Sequence, residues 1–285
     1  MIAVGANVVN IVLELLFVYG LHGGIAGSAW GTVTAQCAAA LAYVWIARRI
    51  ARETHASGRP RAAGIRTVAV IGAPLIVRTA SLLAVSLAVT ALAARIDDVA
   101  VAAHQIAFQV NLLLALALDA IAIAAQAMVG KYLGAGDPRD ARASSVRMIE
   151  LGVVAGVVLM FVVAVIAPWF PTIFSSDHAV QDLGAQVLVI VALLQPLAAV
   201  VFVLDGVLIG AGDQRYLALA MVVATFGVFA PAAIGISLAG GGLLALWGAI
   251  AAWMVARAVG MVGRFVTDKW EVLGVSVSGS GNPSR

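Results

Sequence analysis

The sequence predicts an all-α, polytopic membrane protein of about eight transmembrane helices. Three observations carry the prediction. Of 285 residues, 63% are hydrophobic and only 11% are charged, and the mean hydropathy is +1.06. A water-soluble domain needs far more charge to cover its surface, so lipid must be part of the solvent. The apolar residues gather into stretches of bilayer length, and most basic residues fall in alternate short loops between them. Glycine-rich turn motifs also recur at a fixed spacing, which marks an internal repeat.

A bilayer core needs roughly 20 apolar residues per helix. On that scale the spans run 1–19, 25–47, 67–94, 99–130, 146–167, 183–209, 217–238 and 243–263. The first two are joined by Leu21-His22-Gly23-Gly24, where glycine allows a tight turn. The third contains Pro74 and the sixth Pro196; each removes a backbone hydrogen bond and favours a bend. The fourth and sixth are longer than a bilayer requires and are expected to tilt or protrude. Trp169, Phe170 and Trp270 fall near predicted interfaces and read as anchors. The Gly- and Ser-rich tail after Lys269 reads as disordered.

Basic residues orient the spans. The segment 48–66 carries Arg48, Arg49, Arg52, Arg59, Arg61 and Arg66. Residues 131–147 carry Lys131, Arg139, Arg142 and Arg147, and the tail adds Arg264, Lys269 and Arg285. The alternate loops 20–24, 168–182 and 239–242 carry none, and 95–98 carries only Arg95. The positive-inside rule then places both termini in the cytoplasm. The 15 Arg against 2 Lys suggest a GC-rich bacterial genome, and hence a bacterial cytoplasmic membrane.

Two stretches match at a constant offset of 217 residues. Leu21-His22-Gly23-Gly24, Trp30-Gly31 and Ala35 recur as Leu238-Ala239-Gly240-Gly241, Trp247-Gly248 and Ala252. The copies lie an even number of spans apart, so they share one orientation. That is a parallel repeat of six-helix units, an architecture used by secondary transporters. A second echo pairs Gly134-Ala135-Gly136-Asp137 with Gly210-Ala211-Gly212-Asp213; glycine permits left-handed backbone there and Asp can cap the next helix. A unit of this length repeated twice implies about 434 residues and about twelve spans. On that expectation roughly four helices precede Met1. Residues 1–47 are then the last two helices of an N-lobe, and 48–66 a basic inter-lobe loop. Residues 67–264 form a complete six-helix C-lobe, and 265–285 a tail.

Ala102-Ala103-His104-Gln105-Ile106-Ala107-Phe108-Gln109, Leu118-Asp119, Val129-Gly130 and Leu133-Gly134-Ala135-Gly136-Asp137 resemble the seventh-to-eighth helix region of the MATE (multidrug and toxic compound extrusion) family. The context of Asp119, and Leu204-Asp205-Gly206-Val207-Leu208-Ile209-Gly210-Ala211-Gly212-Asp213, resemble its DinF-type branch. The resemblance covers the chain to about Arg264. It implies a MATE-like fold of two six-helix lobes around a cavity open to one side at a time. It also implies a secondary active antiporter that exports small organic cations or drugs. A proton or sodium gradient would drive it, with no other cofactor. In the DinF-type branch a coupling aspartate is expected on the first helix of the N-lobe, a helix that lies before Met1 on the repeat argument. Two alternatives stay open: a lipid-intermediate flippase of the same superfamily, and a non-transporting membrane fragment whose missing N-terminal helices sit on an upstream partner chain.

In the fourth span His104, Asn111, Asp119 and Gln126 fall within about 80° of one another around a helix. Lipid tails offer no partners, so this polar stripe should face the protein interior or a wet cavity. It lines a cavity with Asp119 binding protons or cationic substrate, or it hydrogen-bonds helices together. Arg78 and Asp119 lie at matching depths on neighbouring spans, so an Arg78–Asp119 pair is expected, as structural glue or as a protonation switch. Asp205 reads as a helix-end carboxylate in contact with interfacial water. Glu14, with Asn10 and Asn7 at helical spacing, faces either the cavity between lobes or helices before Met1. Gln36, Gln109 and Gln195 read as helix-contact residues.

Other classes are excluded. The pI near 9.4 does not point to nucleic acid, because the charges sit in short loops and not on one face with aromatics. A single cysteine, Cys37, supplies neither a disulfide nor a thiolate metal site. The chain has no phosphate-binding loop, no HExxH, no Cys/His cluster and no serine elbow.

Overall fold

The computed structural model describes residues 2–20, 23–53, 62–267 and 269–271. Among them every regular element is helical: α1 (Ile2–Leu15), α2 (Gly24–Glu53), α3 (Ala62–Ile96), α4 (Asp98–Gly134), α5 (Pro138–Ile166), α6 (His178–Gly210), α7 (Gln214–Val222), α8 (Ala230–Leu238) and α9 (Leu243–Val266). A π-helical segment, Val223–Phe229, joins α7 to α8, and another, Leu16–Gly20, prolongs α1. Seven of the predicted spans are helices long and apolar enough to cross a membrane; the first is a shorter apolar stretch, Asn7–Gly20. The fold is that of a polytopic membrane protein.

Helix ends depart from the predicted spans where charged residues continue a helix beyond its apolar part. α2 runs on to Glu53, with Arg49 Nε 3.0 Å from Glu53 Oε1 one turn later, so much of the expected 48–66 loop is helical; residues 54–61 lie outside the described set. α5 begins at Pro138, well before residue 146. Asp137 caps it by accepting a hydrogen bond from the Asp140 backbone N–H at 3.0 Å. Hydropathy marks where hydrocarbon begins, whereas a helix stops at its cap.

The chain divides into two compact units, Met1–Thr67 and Val68–Arg285. The first is a helix pair. Gly23, Gly27 and Gly31 form the seam between α2 and α1: a Cβ on Gly31 would lie 3.2 Å from Glu14 Cα. Small residues at this spacing let backbones approach where dispersion supplies the attraction. The repeat partner of this pair, in the second unit, has different surroundings. Trp30 is 66% exposed whereas Trp247 is 1% exposed, because α4 covers Trp247 with His104, their ring centroids 5.9 Å apart.

In the second unit α6 is the central helix, apolar on all sides and buried against α4, α5 and α9. Gly206 lets it touch α4: a Cβ there would collide with the Ala122 carbonyl oxygen. Gly156 of α5 does the same against α6, where a Cβ would sit 2.7 Å from the Gln195 carbonyl oxygen. The two Gly-Ala-Gly-Asp turns are near copies. Gly136 and Gly212 both have φ of 79°, and the following Asp137 and Asp213 N–H groups donate to Tyr132 O and Leu208 O, each at 2.9 Å. Their aspartates diverge: Asp137 caps a helix, but Asp213 makes no side-chain cap and accepts from Arg264 Nε at 2.6 Å.

Pro74 and Pro196 lie within unbroken helices. A third proline, Pro231, follows the π-helical segment. Proline cannot donate to a carbonyl one turn back, and before it the ladder has already shifted, with Ala230 N–H bonding the Thr225 carbonyl. Trp270 corrects the sequence reading. It is fully buried, stacked on Phe265 at 5.3 Å, and its Nε1 donates to Phe265 O at 3.0 Å, so it is a packing residue and not a bilayer anchor. Trp169 is exposed and Phe170 partly buried. The tail expected to be disordered lies, beyond Glu271, outside the described residues.

Candidate functional site

Within the second unit, α3, α4, α6 and α9 enclose a cavity of about 380 Å³. Its walls are mainly apolar and aromatic, with Phe108, Phe202, Trp247 and Trp253 prominent. His104, Asn111, Gln195 and Arg257 supply polar groups, and Arg257 is the one ionised side chain among the described residues that line it. A largely apolar pocket with a few convergent polar groups is the usual character of a small-molecule site.

Gln195 and His104 are held by their neighbours. Gln195 turns back on its own helix, its Nε2 donating to Val191 O at 3.0 Å. Thr90 Oγ1 donates to Ser86 O at 3.0 Å and lies 3.1 Å from His104 Nε2. A hydroxyl has one proton to give, so His104 Nε2 must be the donor of that second bond. His104 Nδ1 then carries a lone pair, and it has no partner among the described residues. Trp247 Nε1, a donor, also lacks one.

Beside the cavity three ionised side chains meet. Arg78 Nη2 of α3 lies 2.7 Å from Asp205 Oδ2 of α6, and Arg257 Nη2 of α9 lies 2.8 Å from that same oxygen. Asp205 and Arg257 are buried, and Arg78 is about four-fifths buried. The guanidinium of Arg257 stacks over Trp253, 4.8 Å from its centroid. Trp253 Nε1 in turn donates to Thr225 Oγ1 of the π-helical segment at 3.2 Å. Asp205 Oδ1, Arg78 Nε and Arg257 Nε are buried without hydrogen-bond partners among the described residues. Two guanidiniums share one carboxylate oxygen, so the cluster carries one positive charge in excess and unused donors.

This arrangement corrects two sequence expectations. Arg78 pairs with Asp205, not with Asp119, and Asp205 is a buried ion-pair centre, not a wetted helix-end carboxylate. The physical reason is Gly206: the backbone contact it allows draws α6 against α4 and seats the neighbouring Asp205 inside the helix bundle. The polar stripe of α4 is likewise divided. His104 and Asn111 line the cavity, whereas Asp119 and Gln126 are exposed. Asp119 makes no hydrogen bond or ion pair among the described residues, though Arg78 acts on it electrostatically. Glu14 and Asn10 belong to the first unit, where Ser28 Oγ donates to Glu14 Oε1 at 2.6 Å and Asn10 Oδ1 is buried without a partner among the described residues. Asn7 is exposed, as are Gln36 and Gln109, whereas Gln195 is buried. Sequence reasoning assigned no role here to Arg257, Trp247 or Trp253. The available signal was that a charge within a span needs a partner, and Arg78, Asp119, Asp205 and Arg257 all lie within spans.

Comparison with known proteins agrees with this architecture. The chain is 31% identical over 264 residues to Protein DETOXIFICATION 43 of Arabidopsis thaliana, covering 92% of this chain and 49% of that protein. It is 31% identical to the multidrug resistance protein NorM of Burkholderia vietnamiensis, covering 93% and 60% respectively. It is 26% identical to human multidrug and toxin extrusion protein 1, covering 94% and 48%. The chain thus spans about half the length of the curated relatives it matches. Among solved structures it shares its fold with the eukaryotic MATE transporter AtDTX14, at a TM-score of 0.81 and 18% identity, over 95% of this chain and 62% of that one. The MatE family model matches residues 74–234, more than half of the chain, and these residues include the helices that carry Arg78 and Asp205: the chain belongs to the MATE family of multidrug and toxin extrusion transporters.

Proposed function

We propose that the chain acts as part of a secondary active antiporter that exports small organic solutes in exchange for protons or sodium ions. The observation that carries the reading is the Arg78–Asp205–Arg257 cluster beside a cavity inside the six-helix unit. At membrane depth ionised groups are tolerated where they are paired or wetted. A cluster with two arginines and more than one carboxylate in reach is bistable, because protonating one carboxylate changes which pairs form. Asp119 is exposed and lies within the electrostatic influence of Arg78, and to it we assign the exchanged proton. Organic cations are the solutes that the resemblance implies. The contexts of Asp119 and of residues 204–213 favour the DinF-type branch, the 15 Arg against 2 Lys favour a bacterial cytoplasmic membrane, and the alternating basic loops support both termini in the cytoplasm. A lipid-diphosphate flippase would want several arginines in the cavity wall, and Arg257 alone lines this one.

The test is solute flux in proteoliposomes that contain the full chain and enclose a pH-sensitive dye. Ethidium and naphthalene-2-sulfonate serve as the cationic and anionic probes. An imposed proton or sodium gradient is expected to drive one probe uphill, and Asp119→Asn is expected to remove the pH dependence of that flux. Absence of gradient-driven movement of either probe would refute the transport reading. Flux by Asp119→Asn at the parental rate and with the parental pH dependence would refute the role of Asp119.

A further inference from the structure

The geometry points to a binding groove at the C-terminal end of α2 for an anionic phospholipid that carries two phosphodiesters in one headgroup. The inference does not depend on what the chain transports. The groove has a volume of about 710 Å³ and lies within the first unit. Leu41, Trp45, Arg48 and Arg52 line it, and at about 100° per residue they fall within about 60° of one another on one helix face. Along the axis Leu41 lies about 10 Å and Trp45 about 4.5 Å before Arg48, with Arg52 about 6 Å beyond. The face therefore runs from aliphatic through aromatic to cationic in the order in which a lipid runs from acyl chain through glycerol to phosphate.

Charge selects among lipids. Three guanidiniums, of Arg48, Arg49 and Arg52, and one carboxylate, of Glu53, line the groove, which leaves an excess of two positive charges. Arg49 is committed to Glu53 at 3.0 Å. Arg48 and Arg52 are exposed and make no hydrogen bond or ion pair among the described residues. Like charges one turn apart on a helix repel, and a headgroup with two phosphates relieves that repulsion while satisfying both with charge-assisted bonds. A zwitterionic lipid brings its own cation to the same place. A water-soluble phosphate compound leaves Leu41 and Trp45, both largely exposed, without a counterpart.

The experiment is native mass spectrometry of the full chain in an uncharged detergent. It is titrated in turn with tetraoleoyl cardiolipin, dioleoyl phosphatidylglycerol, dioleoyl phosphatidylcholine and inorganic pyrophosphate. A saturable cardiolipin adduct is expected, tighter than that of phosphatidylglycerol, with phosphatidylcholine the weakest of the three lipids. Each arginine near a membrane surface contributes about fivefold to the affinity for an anionic lipid, so Arg48→Gln with Arg52→Gln should weaken cardiolipin binding by about 25-fold. Arg48→Lys with Arg52→Lys keeps both charges and should retain most of the affinity. Arg139→Gln with Arg147→Gln removes the same charge from the second unit and should leave the adduct unchanged. Equal losses in the two glutamine pairs would overturn the inference, and so would cardiolipin binding indifferent to Arg48 and Arg52. Pyrophosphate binding as tight as that of cardiolipin would overturn it in favour of a soluble phosphate compound. Should the Arg48 and Arg52 glutamine pair not fold, the ranking on the parental chain decides: phosphatidylcholine bound as tightly as cardiolipin refutes the groove.

Discussion

Asp205→Asn is the most informative single substitution, because it leaves the shape of the ion cluster unchanged and removes its negative charge. Both guanidiniums touch Asp205 Oδ2, at 2.7 and 2.8 Å, so their Nη2 atoms lie no more than about 5.5 Å apart. Two unit charges at that distance repel by about 3 kcal/mol at an effective dielectric constant of about 20. Removing one partner of a buried ion pair costs about 3–5 kcal/mol in measured cases. Arg78, at 20% side-chain exposure, has room to move away from the cluster, whereas Arg257 at 3% has not. The expected destabilisation is therefore about 3 kcal/mol, towards the lower end of that range. The measurement is the thermal unfolding midpoint of the detergent-solubilised protein, followed by tryptophan fluorescence and paired with the monodisperse fraction on size exclusion. Asp205→Asn should lower both, and Asp205→Asn with Arg257→Met should regain most of the loss, because one arginine with a neutral neighbour no longer faces a second buried charge. A single variant as stable as the parent would refute the buried-cluster reasoning. So would a double variant less stable than the single one.

Three further outcomes follow from the packing. Gly206→Ala should destabilise by about 1–3 kcal/mol, since its Cβ would collide with the Ala122 carbonyl; Gly263→Ala, with nothing near its Cβ, should be neutral or stabilising by up to about 1 kcal/mol. Equal midpoints for the two would contradict the close α4–α6 contact. Trp270→Ala should cost about 3 kcal/mol in thermal stability if the indole is a core group, and should leave stability untouched if it is a bilayer anchor. Thr90→Val removes the acceptor of the His104 Nε2 proton and should cost about 1–3 kcal/mol. Nuclear magnetic resonance of a ¹⁵N-histidine sample should show His104 as the Nε2–H tautomer in the parent, and the opposite tautomer would refute the assignment.

Much of the architecture was legible in the sequence because a bilayer imposes it one segment at a time. Each span must satisfy its own backbone hydrogen bonds and present apolar side chains, so stretches such as 183–209 announce themselves without reference to any other part of the chain. Turns are local in the same sense. Gly136 and Gly212 adopt positive φ in the two places where the Gly-Ala-Gly-Asp echo appears, and the motif contains the information for the bend. Helix ends were less legible, since hydropathy ends where α2 reaches Arg48 but the helix itself runs on to Glu53.

The site was only half legible. Sequence reasoning found that charges within spans need partners, and it placed Arg78, His104 and Asn111 among the groups of interest. It could not say which acid Arg78 would meet. Depth along a helix is readable from residue counting, and on that measure Asp119 was a fair partner for Arg78. Lateral position is set by how helices pack, and here a missing side chain decided it: Gly206 admits the α4 backbone and seats Asp205 between two arginines. Trp247 and Trp30 make the same point, with one sequence context repeated and one ring buried while the other is exposed. The amino-acid order alone determined that this chain crosses a membrane, where its helices and turns fall, and which residues are costly to leave in lipid. Only the tertiary structure decided which of those residues satisfy one another, because pairing depends on distances between helices that no single helix encodes.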